Sequence, residues 1–376
     1  MMSRGNERTI AVVTGTRAEL GLLAPVMRAI DAHDDLRLRT IVTGTHLTTG
    51  TWRELEATYG LAVDARVVMQ RDGEVSRWHD VAALGRGVAG IGEALREMAA
   101  DVVLLLGDRI EAFAAAAAGS VGGLHVAHVH GGDRAEGVAD EAMRHAITKL
   151  AHIHLAATAA SRRRIIRMGE RAEDVLNVGS PAIDQALLAL RRRRRRGESR
   201  HLVVLQHGIG ADDDQEQRWM TATLAAARAH APADGLVVLE PNSDPGSDGI
   251  RRAIEQDAAD GGAQRPGHLA RPAFLALLND AAAIIGNSSA GLIDAPALRV
   301  PCVNVGPRQA GREKPGNVVD CDYGEAAARA ALQQALRLDL TRVRHPYGSG
   351  GAAERIAHRL AEIDLAAVPV RKRNVY

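Results

Sequence analysis

The stretch DVVLLLGDRIEAFAAAAAGSVGGLHVAHV, residues 101–129, decides the fold. Its apolar start at 101–106 predicts a strand that is buried on both faces. The Ala-rich residues 110–120 predict a helix, and the β-branched residues 125–129 predict a second strand. Strand, helix and strand in this order form the βαβ unit of a parallel sheet, so the fold class is α/β.

The same alternation continues on both sides of this stretch. Further strands are predicted at TIAVV (9–13), LRTIV (38–42), IHLAA (153–157), LVVLQ (202–206), GLVVLE (235–240), AAAIIG (281–286) and VPCVNV (300–305). Helical stretches such as 214–230 lie between them. The pattern therefore predicts two successive Rossmann-like halves. Because open α/β sheets bind ligands beyond the carboxyl ends of their strands, we expect the halves to face a cleft.

Composition narrows the class of protein. A chain of 376 residues exceeds what one core serves, which predicts two domains. The 47 basic and 46 acidic residues give a formal charge of +1, which argues against a nucleic-acid binder and favours a small-molecule partner. The run LRRRRRRGESR (190–200) is expected to be a solvated linker; a nucleic-acid or membrane role for Arg191–Arg196 is the less favoured alternative.

The cellular compartment is predicted from two features. Cys302 and Cys321 are too few for a disulfide framework, and no apolar run reaches the ~18 residues that span a bilayer. The amino-terminal apolar run of four residues is too short for a signal peptide. We therefore expect a cytoplasmic protein without a membrane role.

The turn TGTRAELG (14–21) joins the first strand to a helix. Gly15 allows a tight turn, the amides at the helix start can face an anion, and Arg17 offers a planar fork for a phosphate. Glu19 lies in the same turn. The alternative is a structural turn with an Arg on the surface.

The step LLLGDRIEA (104–112) brings Asp108 and Arg109 to the end of a buried strand, where ligands are expected. The competing explanation is that Asp108 caps the helix at 110–120.

The segment AHVHGGDRAEGVADEAMRHAITK (127–149) is dense in ionisable residues. Strand alternation places His128 and His130 on the same side, and a helix carries Asp140 in its first turn, followed by Arg144 and His145. A metal cage, an acid/base site and a polar loop are the three interpretations. Metal sites need three or four convergent ligands, and this segment supplies at most three, so no metal is predicted and acid/base chemistry is favoured.

The second half repeats the pattern of polar turns after strands. These turns supply His207, then Asn242 and Ser243, and then the donor-rich Asn287, Ser288 and Ser289. Small residues and hydroxyls let backbone amides close on a phosphate at a helix start. Asp294 follows within that helix and is a candidate for binding ribose hydroxyls, while Arg308 and Arg312 are candidates to clamp a diphosphate. An ordinary capped helix is the alternative.

Together these motifs resemble the hydrolysing UDP-N-acetylglucosamine 2-epimerases of sialic and related nonulosonic acid synthesis. The resemblance covers nearly the whole chain. It is carried by TGTRAELGLL (14–23), GDRIEA (107–112), DEAMRHAITKLAHIH (140–154), VGSPAID (178–184), PNSDPGS (241–247), GNSSAGLIDAP (286–296), VNVGPRQAGR (303–312) and HPYGSGGAAERI (345–356).

The resemblance implies the glycosyltransferase-B architecture. It implies a first domain at 1–190 on the sugar side, a linker at 191–200, a UDP-binding domain at 201–350, and a carboxyl-terminal helix at 351–376 that returns to the first domain. The implied reaction is anti-elimination of UDP to a 2-acetamidoglucal and then hydration to N-acetylmannosamine. No nicotinamide or other cofactor is implied, and a homo-oligomer, dimer or tetramer, is expected.

The resemblance also implies roles for single residues. Asp108 and Asp140 match acids at the sugar ring, and His207 matches a histidine that assists the departing diphosphate, although His-Pro is more usual there. Arg17, Ser288, Ser289 and Arg308–Arg312 match the phosphate-contacting region, and Asp294 matches the acid on the uridine ribose. His130 departs from the Glu of many members, which makes a UDP-2,4-diacetamido sugar a serious substrate candidate. A non-hydrolysing epimerase, a glycosyltransferase and an inactive UDP-sugar sensor remain alternatives.

Overall fold

The computed structural model describes residues 7–74, 76–134, 141–191, 201–232, 235–242, 244–259, 263–267 and 269–375. Asp140, Ser243 and the Arg-rich run after Arg191 lie outside the described residues. The chain divides into two compact units. The described part of the first covers residues 7–74, 76–133, 141–184 and 350–375, and the second falls mainly within Gln185–Ser349.

The first unit is a parallel sheet between helices. Its strands are β1 (Arg8–Thr14), β2 (Leu36–Val42), β3 (Ala65–Arg66), β4 (Val102–Leu106), β5 (His125–Val129), β6 (Ile153–Ala156) and β7 (Val175–Asn177), in the order β3-β2-β1-β4-β5-β6-β7. Its helices are α1 (Arg17–Asp31), α2 (Thr45–Thr49), α3 (Glu54–Tyr59), α4 (Arg77–Glu97), α5 (Ile110–Val121), α6 (Glu141–Leu150), α7 (Ala159–Arg167) and α8 (Pro181–Arg191), within which the unit boundary falls.

Alternate residues of the central strands enter two different cores. In β1, Ile10 and Val12 pack in one hydrophobic cluster with α1, whereas Ala11 and Val13 pack in a second cluster with α4 and α5. Because both faces are buried, residues 10–13 of β1 and 102–106 of β4 are all apolar, which is why the sequence shows continuous apolar runs.

The second unit has a smaller parallel sheet. Its strands are β8 (Leu202–Leu205), β9 (Leu236–Val238), β10 (Ala283–Gly286), β11 (Cys302–Val305) and β12 (Val318–Cys321), in the order β12-β11-β10-β8-β9. Its helices are α9 (Asp213–Arg228), α10 (Ser247–Ala259), α11 (Arg271–Asn279), α12 (Ala290–Ala297) and α13 (Glu325–Ala335). The predicted strands and the helix at 214–230 are confirmed to within three residues, whereas β3, β7 and β12 were not predicted.

Helix α14 (Ala352–Glu362) returns to the first unit, as predicted. The amides of Ala352 and Ala353 donate to the carboxylate of Asp184 at 3.1 and 2.8 Å, and Ile356 and Leu360 are fully buried in the core beside α1. Acidic groups are favourable at a helix amino terminus, so Asp184 fixes the start of α14.

The segment after α14 is tied to the first unit by polar contacts. The Lys372 ammonium donates to the carbonyls of Thr148, Lys149 and Ala151 at the end of α6, and it pairs with Glu170 at 2.5 Å. A cation at a helix carboxyl terminus is stabilising, so this segment anchors α6. Among the described residues, no helix is both long and apolar enough to cross a membrane.

Candidate active site

Two polar turns meet at the carboxyl edge of the first sheet. Strands β4 and β5 are paired up to Leu106 and Val129, and the amide of Gly107 donates to the Val129 carbonyl at 3.1 Å. His128 donates from Nε2 to the Gly107 carbonyl at 2.7 Å. Burial lowers the pKa of His128 to about 3, so this imidazole is neutral and joins the two turns.

Asp108 is held by Arg144 and does not cap a helix. Helix α5 has Arg109 at its N-cap position, and no side chain accepts from its first amides, so the capping interpretation of Asp108 is wrong. Instead the Arg144 guanidinium donates to the Asp108 carboxylate. A second nitrogen of the same guanidinium donates to the carbonyl of Asp133 at 2.9 Å. The paired carboxylate thus lies at the expected ligand edge.

His130 follows β5 in a left-handed conformation with φ 63°. The alternation that predicts a common side for His128 and His130 therefore ends at Val129. Nδ1 of His130 lies 2.9 Å from Asp133, and Nε2 lies 2.9 Å from the hydroxyl of Ser180. The described residues contain no group of three His, Cys, Asp or Glu side chains placed to hold a metal ion.

Two of the predicted residues, Arg144 and His145, point to different sides of helix α6. Arg144 is 3% exposed and reaches the sheet edge, whereas His145 contacts Glu141 at 3.5 Å along the helix surface. Successive residues on a helix are rotated by about 100°, so the structure does not bring His145 to the Asp108 side of the helix.

The side chain of Glu19 closes the turn before α1. The amides of Gly15 and Thr16 donate to the Glu19 carboxylate at 3.0 and 3.3 Å, and the Glu19 amide donates to the Thr16 hydroxyl at 3.4 Å. This is a capping box. The amides of Gly15 and Thr16 are therefore engaged by Glu19, and Arg17 is exposed, while anion binding by this turn stays a prediction.

Glu111 also belongs to this region, and no role for it was predicted from the sequence. It is fully buried in α5, accepts from the Gln70 amide at 2.9 Å, and lies 3.7 Å from Arg109. Burial and the neighbouring Glu111 raise the pKa of Glu19 to about 7. The sequence signal that could have identified Glu111 is its position in the motif GDRIEA, three residues after Asp108.

In the second unit, Asn287 links two strand ends. Its side-chain oxygen accepts from the His207 amide at 2.7 Å, and its side-chain nitrogen donates to the His207 carbonyl at 2.8 Å. The amide of Asn242 donates to Nδ1 of His207 at 3.1 Å. Burial and the Arg308 guanidinium lower the pKa of His207 to about 3. A neutral imidazole that accepts at Nδ1 carries its proton at Nε2, so His207 is a neutral hydrogen-bond donor.

Arg308 belongs to the same group of residues. It pairs with Asp244 at 2.9 Å, and Gln309 donates to the Asn287 carbonyl at 2.7 Å. The structure therefore brings His207, Asn242, Asn287 and Arg308 together, and their role in nucleotide binding stays a prediction.

Helix α12 follows the Asn287 turn. Ser289 is its N-cap residue and makes no side-chain cap bond, while the Ser288 hydroxyl accepts from Ala290 at 3.4 Å. Within the helix, Asp294 is 4% exposed and is gripped by both terminal nitrogens of Arg271, at 2.5 and 3.4 Å. Arg271 was not found from the sequence because it lies 23 residues away in α11. The amide of Arg312, which is partly buried, donates to the Gln309 carbonyl at 3.3 Å.

Two parallel sheets with ionisable residues after their strands define a two-domain α/β protein of the glycosyltransferase-B type. Residues 28–361 match the family model described as UDP-N-acetylglucosamine 2-epimerase. The chain belongs to this family.

Relatives of known name agree with this assignment. A UDP-N,N'-diacetylbacillosamine 2-epimerase (hydrolyzing) of Legionella pneumophila is 34% identical over 98% of this chain and 100% of the relative. A UDP-N-acetylglucosamine 2-epimerase of Neisseria meningitidis is 31% identical over 95% of this chain and 94% of the relative.

Solved structures share the fold. The UDP-GlcNAc 2-epimerase from Neisseria meningitidis bound to UDP-GlcNAc superposes with a TM-score of 0.80, at 17% identity, over 94% of this chain and 100% of that chain. The enzyme from Methanocaldococcus jannaschii in complex with UDP-GlcNAc and UDP gives 0.78 at 18% identity, over 94% and 99%.

Proposed function

We propose that this protein is a hydrolysing 2-epimerase that converts a UDP-N-acetyl sugar to UDP and the free 2-epimeric sugar. The observation that carries the proposal is the paired carboxylate of Asp108 beside the buried His130–Asp133 pair, joined by Arg144. The names of the Legionella relative and of a Campylobacter jejuni relative, 25% identical over 85% of this chain, both include the word hydrolyzing.

The proposed reaction has two halves. In the first, a base removes the proton at carbon 2 while the bond from carbon 1 to the UDP oxygen breaks, which leaves a 2-acetamidoglucal. In the second, water oxygen bonds to carbon 1 and a proton is added to the other face of carbon 2. Removal and return occur on opposite faces, so two proton carriers are required. Asp108, Asp140 and His130 are the candidates.

The second unit is proposed to bind the nucleotide. The Nε2 proton of neutral His207 and the Arg308 guanidinium are donors suited to a diphosphate whose negative charge grows as it leaves. Asp294, oriented by Arg271, is proposed to accept from the ribose hydroxyls. Replacing His207 by Ala is expected to lower kcat by about 10²–10³-fold, the usual cost of losing such a donor.

The proposal also specifies which carbons of the sugar carry acetamido groups. The resemblance implies a Glu where this chain has His130, and the Legionella relative is named for a diacetylated sugar. We therefore propose a UDP-linked 2,4-diacetamido sugar as the preferred substrate and UDP-N-acetylglucosamine as the second candidate. The product would serve nonulosonic acid synthesis. We place the reaction in the cytoplasm because Cys302 and Cys321 are free thiols, which suits a reducing compartment.

Product analysis in deuterated water tests the proposal. The purified chain is incubated with each UDP-sugar, and the products are separated by mass and NMR. We expect UDP and a free 2-epimer with deuterium at carbon 2, and no turnover by Asp108→Asn. A labelled product that still carries UDP would identify a non-hydrolysing epimerase instead. UDP release only after an acceptor is added would identify a glycosyltransferase, and UDP binding without turnover would identify a sensor.

A further inference from the structure

Four side chains form a buried row at the edge of the first sheet. Ser161 donates to Oδ1 of Asp133 at 2.6 Å, Oδ2 of Asp133 lies 2.9 Å from Nδ1 of His130, and Nε2 of His130 lies 2.9 Å from Ser180. Each of the four is at most 7% exposed. Buried polar groups in such a row constrain one another's protons.

The beginnings of two helices fix the direction of the donors. Thr158 caps α7 by accepting from the Ser161 amide at 3.0 Å, and its hydroxyl donates to the Ser161 oxygen at 3.0 Å. Ser161 in turn donates to Asp133. At the other end, the Ser180 oxygen accepts from the Ala182 amide at 3.3 Å, which leaves its hydrogen for His130.

These contacts are all satisfied by one neutral form of His130. In that form Nδ1 carries the proton and donates to Asp133, while Nε2 holds a lone pair that accepts from Ser180. The alternative tautomer would place the Nδ1 lone pair against a carboxylate lone pair at 2.9 Å, which is repulsive.

We propose that Asp133 is a positioning residue that commits His130 to the Nδ1-protonated tautomer and that Ser180 holds the orientation of the ring, so that Nε2 acts as the base at carbon 2. The proposal rests on the epimerase function proposed above. The Ser180 hydroxyl first turns its hydrogen away, and the freed Nε2 lone pair then takes the carbon 2 proton as the bond from carbon 1 to UDP breaks. A carboxylic acid then protonates the opposite face while water adds at carbon 1. The water proton replenishes that acid, and the imidazolium releases its proton to solvent.

The row has the order Ser, His, Asp of a hydrolase triad, but the contacts give Ser180 a different role. A reacting group must reach the substrate; Ser180 is 0% exposed and its oxygen is engaged by the Ala182 amide, whereas His130 keeps 7% of its surface exposed. Asp133 is likewise tied on three sides, by His130, by Ser161 and, at its carbonyl, by Arg144.

The test combines histidine NMR with kinetics on the full chain. In ¹⁵N-histidine-labelled protein we expect His130 to show a protonated Nδ1 and an unprotonated Nε2. In Asp133→Asn the amide oxygen stays with the Ser161 donor and the amide nitrogen donates to Nδ1, which forces the opposite tautomer. We then expect kcat to fall by about 10³–10⁴-fold, as for a triad aspartate, with KM changed less than about threefold.

Ser180→Ala is the discriminating variant. It keeps Asp133, so the tautomer is expected to stay unchanged and kcat to stay within about tenfold of the parent. Loss of all turnover with an unchanged tautomer would make Ser180 a nucleophile and overturn the proposal. A wild-type chain protonated at Nε2, or an Asp133→Asn chain that keeps both tautomer and kcat, would overturn it as well. If the chain shows the expected tautomer but releases no UDP, the proposed function is wrong and the positioning roles are retained. The unfolding temperature of each variant shows whether it is folded.

Discussion

Arg144 binds the carboxylate of Asp108 with one nitrogen of its guanidinium and uses another to bind the Asp133 carbonyl. One planar side chain thereby connects the ends of β4 and β5 to helix α6. A lysine has a single ammonium group and does not reproduce this two-sided geometry.

Arg144→Lys is therefore expected to lower kcat by about 10²-fold, because a small displacement of Asp108 is costly when proton transfer requires correct geometry. Steady-state kinetics with UDP release as the readout measure this change. Arg163→Lys, on the exposed face of α7, is the matched control and should behave as the parent. Equal kcat values in the two variants would remove Arg144 from the mechanism.

We expect the first unit to carry the catalytic residues and the second unit to bind the nucleotide. Asp140→Asn should abolish turnover and leave UDP affinity nearly intact. Asp294→Ala should weaken UDP binding by about 10–100-fold, since a lost charged hydrogen bond costs about 1.5–3 kcal/mol. Calorimetric titration with UDP measures both. The reverse pattern, weak binding in Asp140→Asn and normal binding in Asp294→Ala, would contradict the assignment.

The capping box before α1 makes stability depend on pH. The pKa of Glu19 is raised from 4.5 to about 7 by burial and by Glu111, so folding takes up a proton between these values. Stability from this group is present below pH 4.5 and is lost as the pH rises through about 7. Glu19→Gln keeps the cap without the charge, and should be more stable than the parent at pH 8 by up to about 3 kcal/mol but not at pH 4.5.

Urea unfolding of both chains across this pH range measures the difference. Glu56→Gln, which removes an exposed carboxylate of α3, is the control. A constant difference between the Glu19 variant and the parent at all pH values would show that Glu19 does not titrate in this range.

Lys372 is expected to stabilise the fold through α6. Lys372→Met removes an ammonium that contacts three helix-end carbonyls and Glu170, which is 5% exposed, so we expect a loss of about 1–3 kcal/mol. Lys314→Met breaks the more exposed pair with Asp320 and should cost less than about 1 kcal/mol. Thermal unfolding compares the two, and a similar small loss in both would show that the Lys372 contacts contribute little.

The sequence predicted the elements that have a strong local signal. Buried strands such as β4 and β5 are continuous apolar runs, whereas β3 has two residues and lies at a sheet edge, where little burial is needed. The capping box before α1 was not predicted, although Thr16 and Glu19 have its spacing.

Partners distant in the chain account for what the sequence missed. Ser180 lies 50 positions from His130, and Gln70 lies 41 positions from Glu111. Neither pairing has a local pattern, because the topology of the sheet alone brings these side chains together. Asp108, Arg144 and His207 were found because strand ends and helix starts mark them directly.

Glu111 fills the space over two glycines of neighbouring turns. An added Cβ at Gly15 would lie 2.4 Å from its Cγ, and one at Gly44 would lie 2.6 Å from its Oε1, where the backbone is also left-handed at φ 62°. Positions 15, 44 and 111 thus compete for one volume. In an alignment of relatives, this competition should appear as covariation: a chain with a larger residue at position 15 is expected to carry a shorter one at 111, and exchanging either alone between two such relatives should be deleterious.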